Sequence, residues 1–361
     1  MKIVYLAPIP YDGLRQRPQF LAEGLAREHE VIYVEPTVSM LKSLLKGGLN
    51  YRGFSQKVNA GLTICRLNGT WLLPRFLEGV WSGFGMPERL ALRTLLKDAD
   101  AVWVGFAPWF DLLRDFPGRI IYDRMDDNAQ LTDNPLMRRL IQRTEPQLLR
   151  RADLLLVTAR AFYDEAAAMG LAPVLVPNAV DAAQAERVWT PALPAESGVR
   201  TFGYVGMLAH WFDLDAIRAI LDAAPENRVV LVGPEEIDRL EDPRVRYVGP
   251  VPKEQVGAWI ASFDVCLYPF RPSPLLDTIN PVKIYEYLAQ NKPVLAVRSR
   301  ETAAFGELVH IYDGVEKLRV LASSTWKVPF PSEDARKKFA AANDWDSRTA
   351  NVLDLIRNWV T

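Results

Sequence analysis

The sequence predicts an α/β protein that contains two doubly wound parallel-sheet domains in tandem. Short apolar runs alternate with amphipathic helical stretches along nearly the whole chain. Most of these runs are apolar on both faces, which is typical of strands that helices cover on both sides. The alternation is interrupted once, near the middle, and a length of 361 residues fits two domains of about 150 residues each.

Thirteen apolar runs are the predicted strands. Seven lie in the first half of the chain: 2–7, 30–35, 62–67, 99–106, 118–123, 152–158 and 172–177. Six lie in the second half: 200–206, 228–233, 245–249, 263–270, 292–298 and 307–313. Helical patterns such as PQFLAEGLAREH and MRRLIQRTEPQLLRRA separate them, as in parallel βαβ units. In such sheets ligands bind beyond the carboxyl ends of the strands, so the loops that follow strands are the places to look for a site.

The segment 181–199 breaks this pattern. It contains prolines and small residues but no strand pattern, and we interpret it as a linker between domains. The predicted domains are therefore residues 1–180 and 200–342, and residues 343–361 contain a closing amphipathic helix.

Composition excludes several classes of protein. The hydrophobic fraction of 49% and the charged fraction of 24% are those of a soluble globular protein. A formal net charge of -1 gives no global field that would attract nucleic acid, so no nucleic-acid partner is expected. Cys65 and Cys266 lie far apart in apolar runs, which predicts buried free thiols. The first apolar run ends at prolines, and no window approaches 18 apolar residues, so a cytoplasmic protein is expected.

The stretch DTINPVKIYEYLAQNKPVLA predicts an anion site at the start of a helix. Pro281 suits the first turn of a helix, and the N–H groups of Val282, Lys283 and Ile284 would then point outward. The helix dipole and the charge of Lys283 together favour a diphosphate. Glu286, one turn further on, has the chemistry that holds the vicinal hydroxyls of a ribose. The alternative is an ordinary surface pair of Lys283 and Glu286.

Two arginines precede the first predicted helix. Arg15 and Arg17 stand in the loop after the first strand, just before Pro18. Guanidinium groups at a helix start suit a phosphate or a carboxylate of either substrate, although solvated loop arginines are an equal alternative. No G-x-G-x-x-G follows this strand or the strand 200–206, which argues against a dinucleotide enzyme.

Several stretches resemble one family of enzymes. The run VRYVGPVPKEQVGAWIASFDVCLYPF followed by NPVKIYEYLAQNKPVLA is similar to the donor half of a GT-B glycosyltransferase, close to glycosyltransferase family 4. DGLRQRPQFLAEGLAREHEVIYVEP resembles the bacterial branch that includes the teichuronic acid transferases. VPNAVD resembles the motif that precedes the family's linker, and NDWDSRTANVLDLI resembles its final helix, which crosses back to the first domain.

The resemblance implies two Rossmann-like domains that face a central cleft, with the acceptor on the first domain and a nucleotide-sugar on the second. It makes Lys283 a ligand of the donor diphosphate and Glu286 the ligand of its ribose. It places Gly249 and Pro250 beside the nucleobase. It also implies that helix dipole and lysine, rather than a metal ion, stabilise the leaving diphosphate, so neither a metal nor a cofactor is expected.

Two positions depart from the family pattern. The family has a further glutamate eight residues before the ribose glutamate, where this chain has Thr278. The family's arginine and lysine after the first strand of the second domain are absent, and the segment that begins at Gly206 supplies only His210. We expect Gly206 and His210 on the phosphate side of the donor, and Asp277, Thr278 and Asn280 near its sugar hydroxyls.

A cluster of acids follows the strand 118–123. Asp123, Asp126 and Asp127 stand together in YDRMDDNAQL. If the acceptor attacks in line with inversion, its hydroxyl needs a base, and neighbouring carboxylates raise one another's pKa. The xanthan glucuronosyltransferase has a similar strand and loop with an aspartate base, and Asp126 falls at its position. The alternative is that Asp126 or Asp127 caps the next helix, and we assign Asp127 as a cap or an orienting partner.

The sequence therefore predicts a glycosyltransferase that moves a sugar from a nucleoside-diphosphate sugar to a hydroxyl of a bacterial cell-surface polysaccharide or a lipid-linked glycan precursor. Two alternatives stay open at this point. One is a nucleotide-sugar 2-epimerase on the same fold, and the other is a degenerate transferase that only binds a nucleotide-sugar or a glycan. Retention and inversion are both open, because the family resemblance favours the first and an Asp126 base the second.

Residues 37–77 form a segment with basic charges only. They contain six lysines and arginines, no acidic residue, and interleaved apolar and aromatic side chains. Such a segment suits an anionic membrane surface, so peripheral association with the inner face of the plasma membrane and a polyprenyl-linked acceptor are expected. The alternative is a helix that covers the sheet.

Overall fold

The computed structural model describes residues 1–12, 15–36, 53–67, 86–181, 183, 187–323 and 332–360. The chain divides into two compact units. The first unit comprises Met1–Pro177 together with Arg348–Thr361, and the second comprises Asn178–Ser347.

The first unit is built on an eight-stranded sheet. Its strands are β1 (Lys2–Leu6), β2 (Glu30–Glu35), β3 (Phe54–Lys57), β4 (Leu62–Arg66), β5 (Ala101–Val104), β6 (Arg119–Arg124), β7 (Leu154–Val157) and β8 (Pro173–Leu175). They lie in the order β3-β4-β2-β1-β5-β6-β7-β8. All neighbours pair parallel except β3 and β4, which are antiparallel at the edge.

Helices of the first unit connect these parallel strands. They are α1 (Arg17–Leu25), α2 (Met86–Leu96), α3 (Asn128–Leu131), α4 (Pro135–Arg151) and α5 (Arg160–Ala168), with a 3₁₀ helix at Ala107–Leu112. In β1, Val4 and Leu6 belong to the hydrophobic cluster on one face, while Ile3 and Tyr5 on the opposite face are also fully buried. Both faces of the sheet are therefore covered, as the apolar runs predict.

The second unit repeats this plan on a six-stranded parallel sheet. Its strands are β9 (Arg200–Val205), β10 (Asn227–Val232), β11 (Val245–Gly249), β12 (Val265–Tyr268), β13 (Val294–Val297) and β14 (His310–Tyr312), in the order β11-β10-β9-β12-β13-β14. Its helices are α6 (Leu214–Ala223), α7 (Lys253–Ala261), α8 (Val282–Ala289), α9 (Arg300–Ala303), α10 (Val315–Ala322) and α11 (Glu333–Ala342), and 3₁₀ helices lie at Pro274–Thr278 and Gly306–Leu308. The reversal of direction along the sheet at β9 is the doubly wound topology that the sequence predicts.

All thirteen predicted strands are present, and the fold class is confirmed. The sequence reasoning missed β3, whose residues FSQK are mostly exposed. Because an edge strand pairs through its backbone on one side only, it needs no continuous apolar run, and the apolar signal was absent.

The limits of the two units along the sequence differ from the predicted domain boundaries. The first unit ends at Pro177, and the segment interpreted as a linker packs on the second unit. Ala192 donates its N–H to the carbonyl of Ala258 at 2.9 Å, and Leu193 donates to Ser262 Oγ at 3.0 Å. These hydrogen bonds fix the segment on α7.

The last helix, α12 (Trp345–Val360), belongs to the first unit from Arg348 onward. Thr349 lies against α1 at Gly24, where any Cβ would come within 2.3 Å of the threonine methyl group. Arg357 forms an ion pair with Glu28 at 2.5 Å. Glycine at position 24 therefore allows the two helices to approach closely.

Both cysteines are free and buried, as predicted. No helix in the described part of the chain is long and apolar enough to cross a bilayer.

Candidate active site

Glycines end three adjacent strands of the second sheet at the carboxyl edge. Gly206 follows β9 with φ 148°, Gly233 follows β10 with φ 142°, and Gly249 closes β11. A Cβ on Gly233 would lie 2.0 Å from the carbonyl oxygen of Gly206, so the two loops touch through their backbones. Both φ values lie in the region that favours glycine. The repeated Val-Gly at strand ends is the sequence signal of this edge.

Lys283 lies directly against Gly206. A Cβ at position 206 would come within 2.2 Å of Lys283 Cε and 2.9 Å of its Nζ. The ammonium group also lies 5.8 Å from the centre of the Tyr204 ring. Burial lowers the pKa of Lys283, and Glu286 opposes that shift. Among the described residues, the Lys283 ammonium group has no hydrogen bond and no ion pair within 4 Å. A desolvated cation without a protein partner therefore lies at the sheet edge, where an anion could bind it.

Glu286 lies one turn further along α8. Burial raises its pKa, whereas Lys283 and Lys253 lower it and Asp181 raises it. Its carboxylate accepts no hydrogen bond from the described part of the chain. Desolvated charges without protein partners are costly, which is typical of groups that meet a ligand.

The start of α8 offers fewer free donors than expected. Pro281 is the N-cap, and no side chain caps the helix. The N–H of Ile284 donates to the carbonyl of Pro281 at 3.0 Å, so the expectation that it points outward is wrong. The N–H groups of Val282 and Lys283 occupy the first helical turn, where an α-helix has no acceptor for them.

The loop before α8 is held by its own polar side chains. Thr278 Oγ1 donates to the carbonyl of Leu275 at 2.7 Å, and Asp277 accepts from the N–H of Arg300 at 2.7 Å. Asn280 is buried: its Oδ1 accepts from the N–H of Asn178 at 2.9 Å, and its Nδ2 donates to Glu301 Oε2 at 2.7 Å. Both polar atoms of the Asn280 side chain therefore form hydrogen bonds with protein. These bonds fix the start of α8.

Sequence reasoning missed Asn178 and Glu301, the partners of Asn280. Glu301 is 1% exposed, and nothing in its local sequence distinguishes it from a surface glutamate. Asn178 also donates to the carbonyl of Asn280 at 3.0 Å, so two asparagines bind each other reciprocally. In the sequence the VPNAVD motif stands out only by resemblance; in the structure its asparagine, Asn178, holds Asn280, the residue before Pro281.

The remaining predicted donor residues lie at the same edge but are more open. His210 is exposed and packs edge-on against Trp211 at 4.7 Å between ring centres. Gly249 has no atom within 4 Å of the position of a Cβ, and Pro250 is exposed. They provide no enclosed contact, so their roles as donor ligands stay predictions.

Replacing Gly206 by alanine is expected to weaken nucleotide binding at least tenfold, because the methyl group would displace Lys283. Isothermal titration with UDP measures this. Gly198→Ala is the matched control, since Gly198 has φ 76° and open space around it, so alanine there adds strain without a clash. Equal affinities of the Gly206→Ala and Gly198→Ala proteins would contradict the positioning of Lys283 by Gly206.

In the first unit, the carboxylate of Asp126 has no hydrogen-bond or ion-pair partner among the described residues. It lies between β6 and α3 and is partly buried. Burial raises its pKa to about 6, Arg17 opposes the shift, and Asp123 and Asp127 add to it. No described residue donates a hydrogen bond to its carboxylate. A carboxyl with a pKa near neutrality is suited to accept a proton.

Asp127 caps α3, which confirms the predicted role of this residue as a helix cap. Its Oδ1 accepts from the N–H of Gln130 at 3.0 Å, and its Oδ2 accepts from the Gln130 side chain at 2.5 Å. The carboxylate stands beside Asp126 but is occupied by the helix.

Arg17 forms a buried ion pair and does not face solvent. It donates to both oxygens of Asp123, at 2.9 and 2.8 Å, and to the carbonyl oxygens of Val176 at 2.9 Å and Pro177 at 3.3 Å. Arg17 is 4% and Asp123 0% exposed. The prediction that Arg17 binds a substrate anion is therefore not supported by its position, because its guanidinium is already saturated by protein acceptors.

Arg15 is more exposed but also has a partner. It pairs with Glu23 and lies over the ring of Phe20 at 4.1 Å. A substrate anion would have to compete with Glu23 for it.

Removing one side of the buried Arg17–Asp123 pair is expected to destabilise the first unit by about 3–5 kcal/mol, because the remaining charge would be buried without a partner. Denaturant unfolding of Arg17→Ala measures this. Arg139→Ala, at an exposed position of α4, serves as the control, and a loss below about 1 kcal/mol in Arg17→Ala would contradict the buried pair.

Most of the basic segment 37–77 lies outside the described residues; only 53–67 can be compared with the prediction. There Arg66 bonds to the buried Glu35 at 2.5 Å and lies over the Phe54 ring at 4.9 Å. The guanidinium group of Arg66 is therefore already engaged by side chains of the first unit. The described part forms strands rather than the helix that was the alternative.

The second unit brings a lysine, a carboxylate and the start of a helix to the carboxyl edge of its parallel sheet. The chain thus contains two parallel-sheet α/β units in tandem, which is the GT-B architecture. Residues 199–324 match the family model described as "Glycosyl transferases group 1". With this match, the chain is a glycosyltransferase of this fold. No group of three or more His, Cys, Asp or Glu side chains that could hold a metal ion is found among the described residues.

The chain is 24% identical over 347 residues to TuaH of Bacillus subtilis (strain 168), which is assigned as a glycosyltransferase of teichuronic acid biosynthesis. The match covers 87% of this chain and 84% of TuaH. Its fold is similar to that of HepE of Anabaena, solved with UDP and glucose, at a TM-score of 0.65 and 13% identity over 99% of both chains. The trehalose 6-phosphate synthase of Burkholderia multivorans has a TM-score of 0.66 and 15% identity, covering 99% of this chain and 98% of that one. At these identities the two structures support the fold.

Proposed function

We propose that this enzyme transfers a sugar from a nucleoside-diphosphate sugar to a hydroxyl of a growing cell-surface polysaccharide or of its lipid-linked precursor. The relative assigned to teichuronic acid biosynthesis supports the class of product. The complexes of HepE with UDP, and with UDP-glucose, support a nucleotide-sugar donor. A 2-epimerase is not favoured, because the only histidine at the described donor edge, His210, is exposed.

One observation carries the donor assignment: Lys283 and Glu286 are desolvated charges on successive turns at the start of α8, without protein hydrogen bonds in the described part of the chain. In the proposed complex Lys283 and the N–H groups of Val282 and Lys283 bind the diphosphate, and Glu286 accepts hydrogen bonds from the ribose. As the bond to the sugar breaks, charge grows on the diphosphate, and the preorganised donors stabilise it without reorganisation.

Asp126 is the proposed base for the acceptor. Its carboxylate takes the proton of the acceptor hydroxyl while the oxygen attacks the anomeric carbon, and the electron pair of the breaking bond leaves with the diphosphate. This step inverts the anomeric configuration. A retaining enzyme would not need Asp126, so the effect of its replacement separates the two courses.

Peripheral association with an anionic membrane is part of the proposal for a lipid-linked acceptor. Its support is the run of basic and apolar residues in 37–77. Sedimentation with phosphatidylglycerol liposomes at low salt tests it, and a protein that stays in the supernatant would contradict it.

A thermal-shift panel of UDP, GDP and dTDP with their sugars tests the donor proposal. At least one is expected to raise the Tm in a saturable manner, because a ligand that binds only the folded state stabilises it. No shift with any member of the panel would refute the donor site.

A further inference from the structure

We propose, on the basis of the role given above to Asp126 as the base, that Thr158 is a positioning residue for the transfer: its hydroxyl group holds the loop that carries Asp126. The Oγ1 atom of Thr158 donates to the carbonyl of Met125, the residue before Asp126, at 2.6 Å. Thr158 is 0% exposed. It therefore acts on the reaction through Met125 and not by touching a substrate.

The pairing of two neighbouring strands brings Thr158 to this loop. Arg124 ends β6, Val157 ends β7, and these two residues are partners in the parallel sheet. Thr158 is the first residue beyond β7, and its N–H donates to the carbonyl of Arg124 at 3.3 Å. Thr158 thus binds two successive carbonyls, one through its backbone and one through its side chain. The second bond extends the connection between the strands to the residue that precedes Asp126.

The two residues before this second carbonyl are held from other sides. Arg17 donates to both carboxylate oxygens of Asp123, at 2.9 and 2.8 Å. Arg124 is 5% exposed, and its guanidinium forms ion pairs with two glutamates, Glu145 on α4 at 3.2 Å and Glu165 on α5 at 2.7 Å. Together with the threonine hydroxyl, these contacts anchor three consecutive residues at the end of β6. The path of the chain into the proposed base is therefore fixed.

The residues that follow Asp126 are held as well. The N–H of Asn128 donates to the carbonyl of Asp126 at 3.0 Å, and the N–H of Gln130 donates to the capping carboxylate of Asp127 at 3.0 Å. The carboxylate of Asp126, in contrast, accepts no hydrogen bond from the described residues. A fixed backbone around one carboxylate without a protein partner is the arrangement that a general base requires, because small displacements of a catalytic group lower the rate.

Another buried threonine of the first unit allows a direct comparison. Thr144 is 0% exposed, and its Oγ1 donates to the carbonyl of Leu140 within α4 at 2.9 Å. That bond satisfies the hydroxyl inside one helix. The bond of Thr158 instead joins residues 33 positions apart and ends one residue before Asp126. Loss of either hydroxyl removes one hydrogen bond of a buried side chain from the first unit, so the two threonines differ mainly in the carbonyl that they hold.

Thr158→Val tests the proposal, because valine keeps the shape of threonine and removes the hydroxyl. Release of nucleoside diphosphate is measured from each nucleotide-sugar of the thermal-shift panel, with water as the acceptor. We expect Thr158→Val to lower kcat by about 10- to 100-fold, because the base is displaced, and to leave the KM of the donor unchanged. Thr158→Ser, which keeps the hydroxyl, should recover most of kcat. Thr144→Val is the matched control and should keep native kcat with a similar loss of Tm.

A double replacement shows whether Thr158 acts through Asp126. Thr158→Val should lower kcat no further in the Asp126→Asn protein, because the effects of residues that act as a unit are not additive. The same fold loss in both backgrounds would overturn the proposal. So would native kcat in Thr158→Val, an equal loss in Thr144→Val, or failure of Thr158→Ser to recover what valine loses.

Asp126→Asn alone separates the role of the base from the role of Thr158. If Asp126→Asn loses turnover while Thr158→Val keeps it, Asp126 remains the base and only the positioning by Thr158 is wrong. If Asp126→Asn keeps full turnover, Asp126 is not the base, and the positioning role fails with it.

Discussion

Asp126→Asn is expected to lower kcat by about 10²- to 10⁴-fold, the contribution of a positioned general base. The asparagine keeps the size of the side chain and removes its ability to take the acceptor proton. Because burial raises the pKa of Asp126 to about 6, the native enzyme should lose activity about tenfold per pH unit below pH 6, as the base becomes protonated. The variant should lack this acidic limb.

The loss should not come from unfolding. Burial disfavours the ionised form of Asp126, so a neutral asparagine should leave the protein at least as stable at pH 7. Asp133→Asn, an exposed aspartate a few residues on, is the matched control. Full turnover by Asp126→Asn at pH 7 would show that Asp126 is not the base and would favour a retaining course.

Lys283→Ala is expected to lower kcat by about 10²- to 10³-fold, as the loss of one preorganised donor to a developing anion does. The affinity for the donor should fall as well, because Lys283 binds the diphosphate in the ground state. Steady-state kinetics with the donor identified in the thermal-shift panel measures both parameters.

Lys317→Ala is the control for this variant, since Lys317 lies at the surface of α10 and its pairing with Asp313 is at 4.0 Å. Slow hydrolysis of the donor without acceptor should be lost together with transfer. If Lys283→Ala kept native kcat and donor affinity, the diphosphate would bind elsewhere.

Apolar runs in the sequence predict the central strands of both sheets because those strands are buried on both faces. In β1, Ile3 to Leu6 are all fully buried, and such runs are visible without any knowledge of neighbours. The strand β3 could not be predicted in this way, because its stability comes from pairing with β4 rather than from an apolar side. The boundary at Pro177 also depends on tertiary hydrogen bonds, such as those between Asn178 and Asn280, that no local pattern reports.

At the candidate site, the sequence predicts which residue types stand near the helix start, but it does not predict their hydrogen-bond and ion-pair partners. Lys283 and Glu286 were found because proline, lysine and glutamate occur at helical spacing around a predicted helix start. Arg17 has the same residue type as a phosphate ligand, but its partner Asp123 is 106 residues away. Whether an arginine is free or saturated depends on such distant contacts. The contact of Lys283 with Gly206, across 77 residues, is equally invisible in the sequence.

The central claim is that the start of α8 binds the diphosphate and the ribose of the donor. A crystal structure of the protein with UDP tests it most directly. The claim predicts diphosphate oxygens at about 3 Å from Lys283 Nζ and from the N–H groups of Val282 and Lys283, with the ribose hydroxyls on Glu286. UDP bound away from the start of α8, with Lys283 and Glu286 still without a ligand, would contradict it.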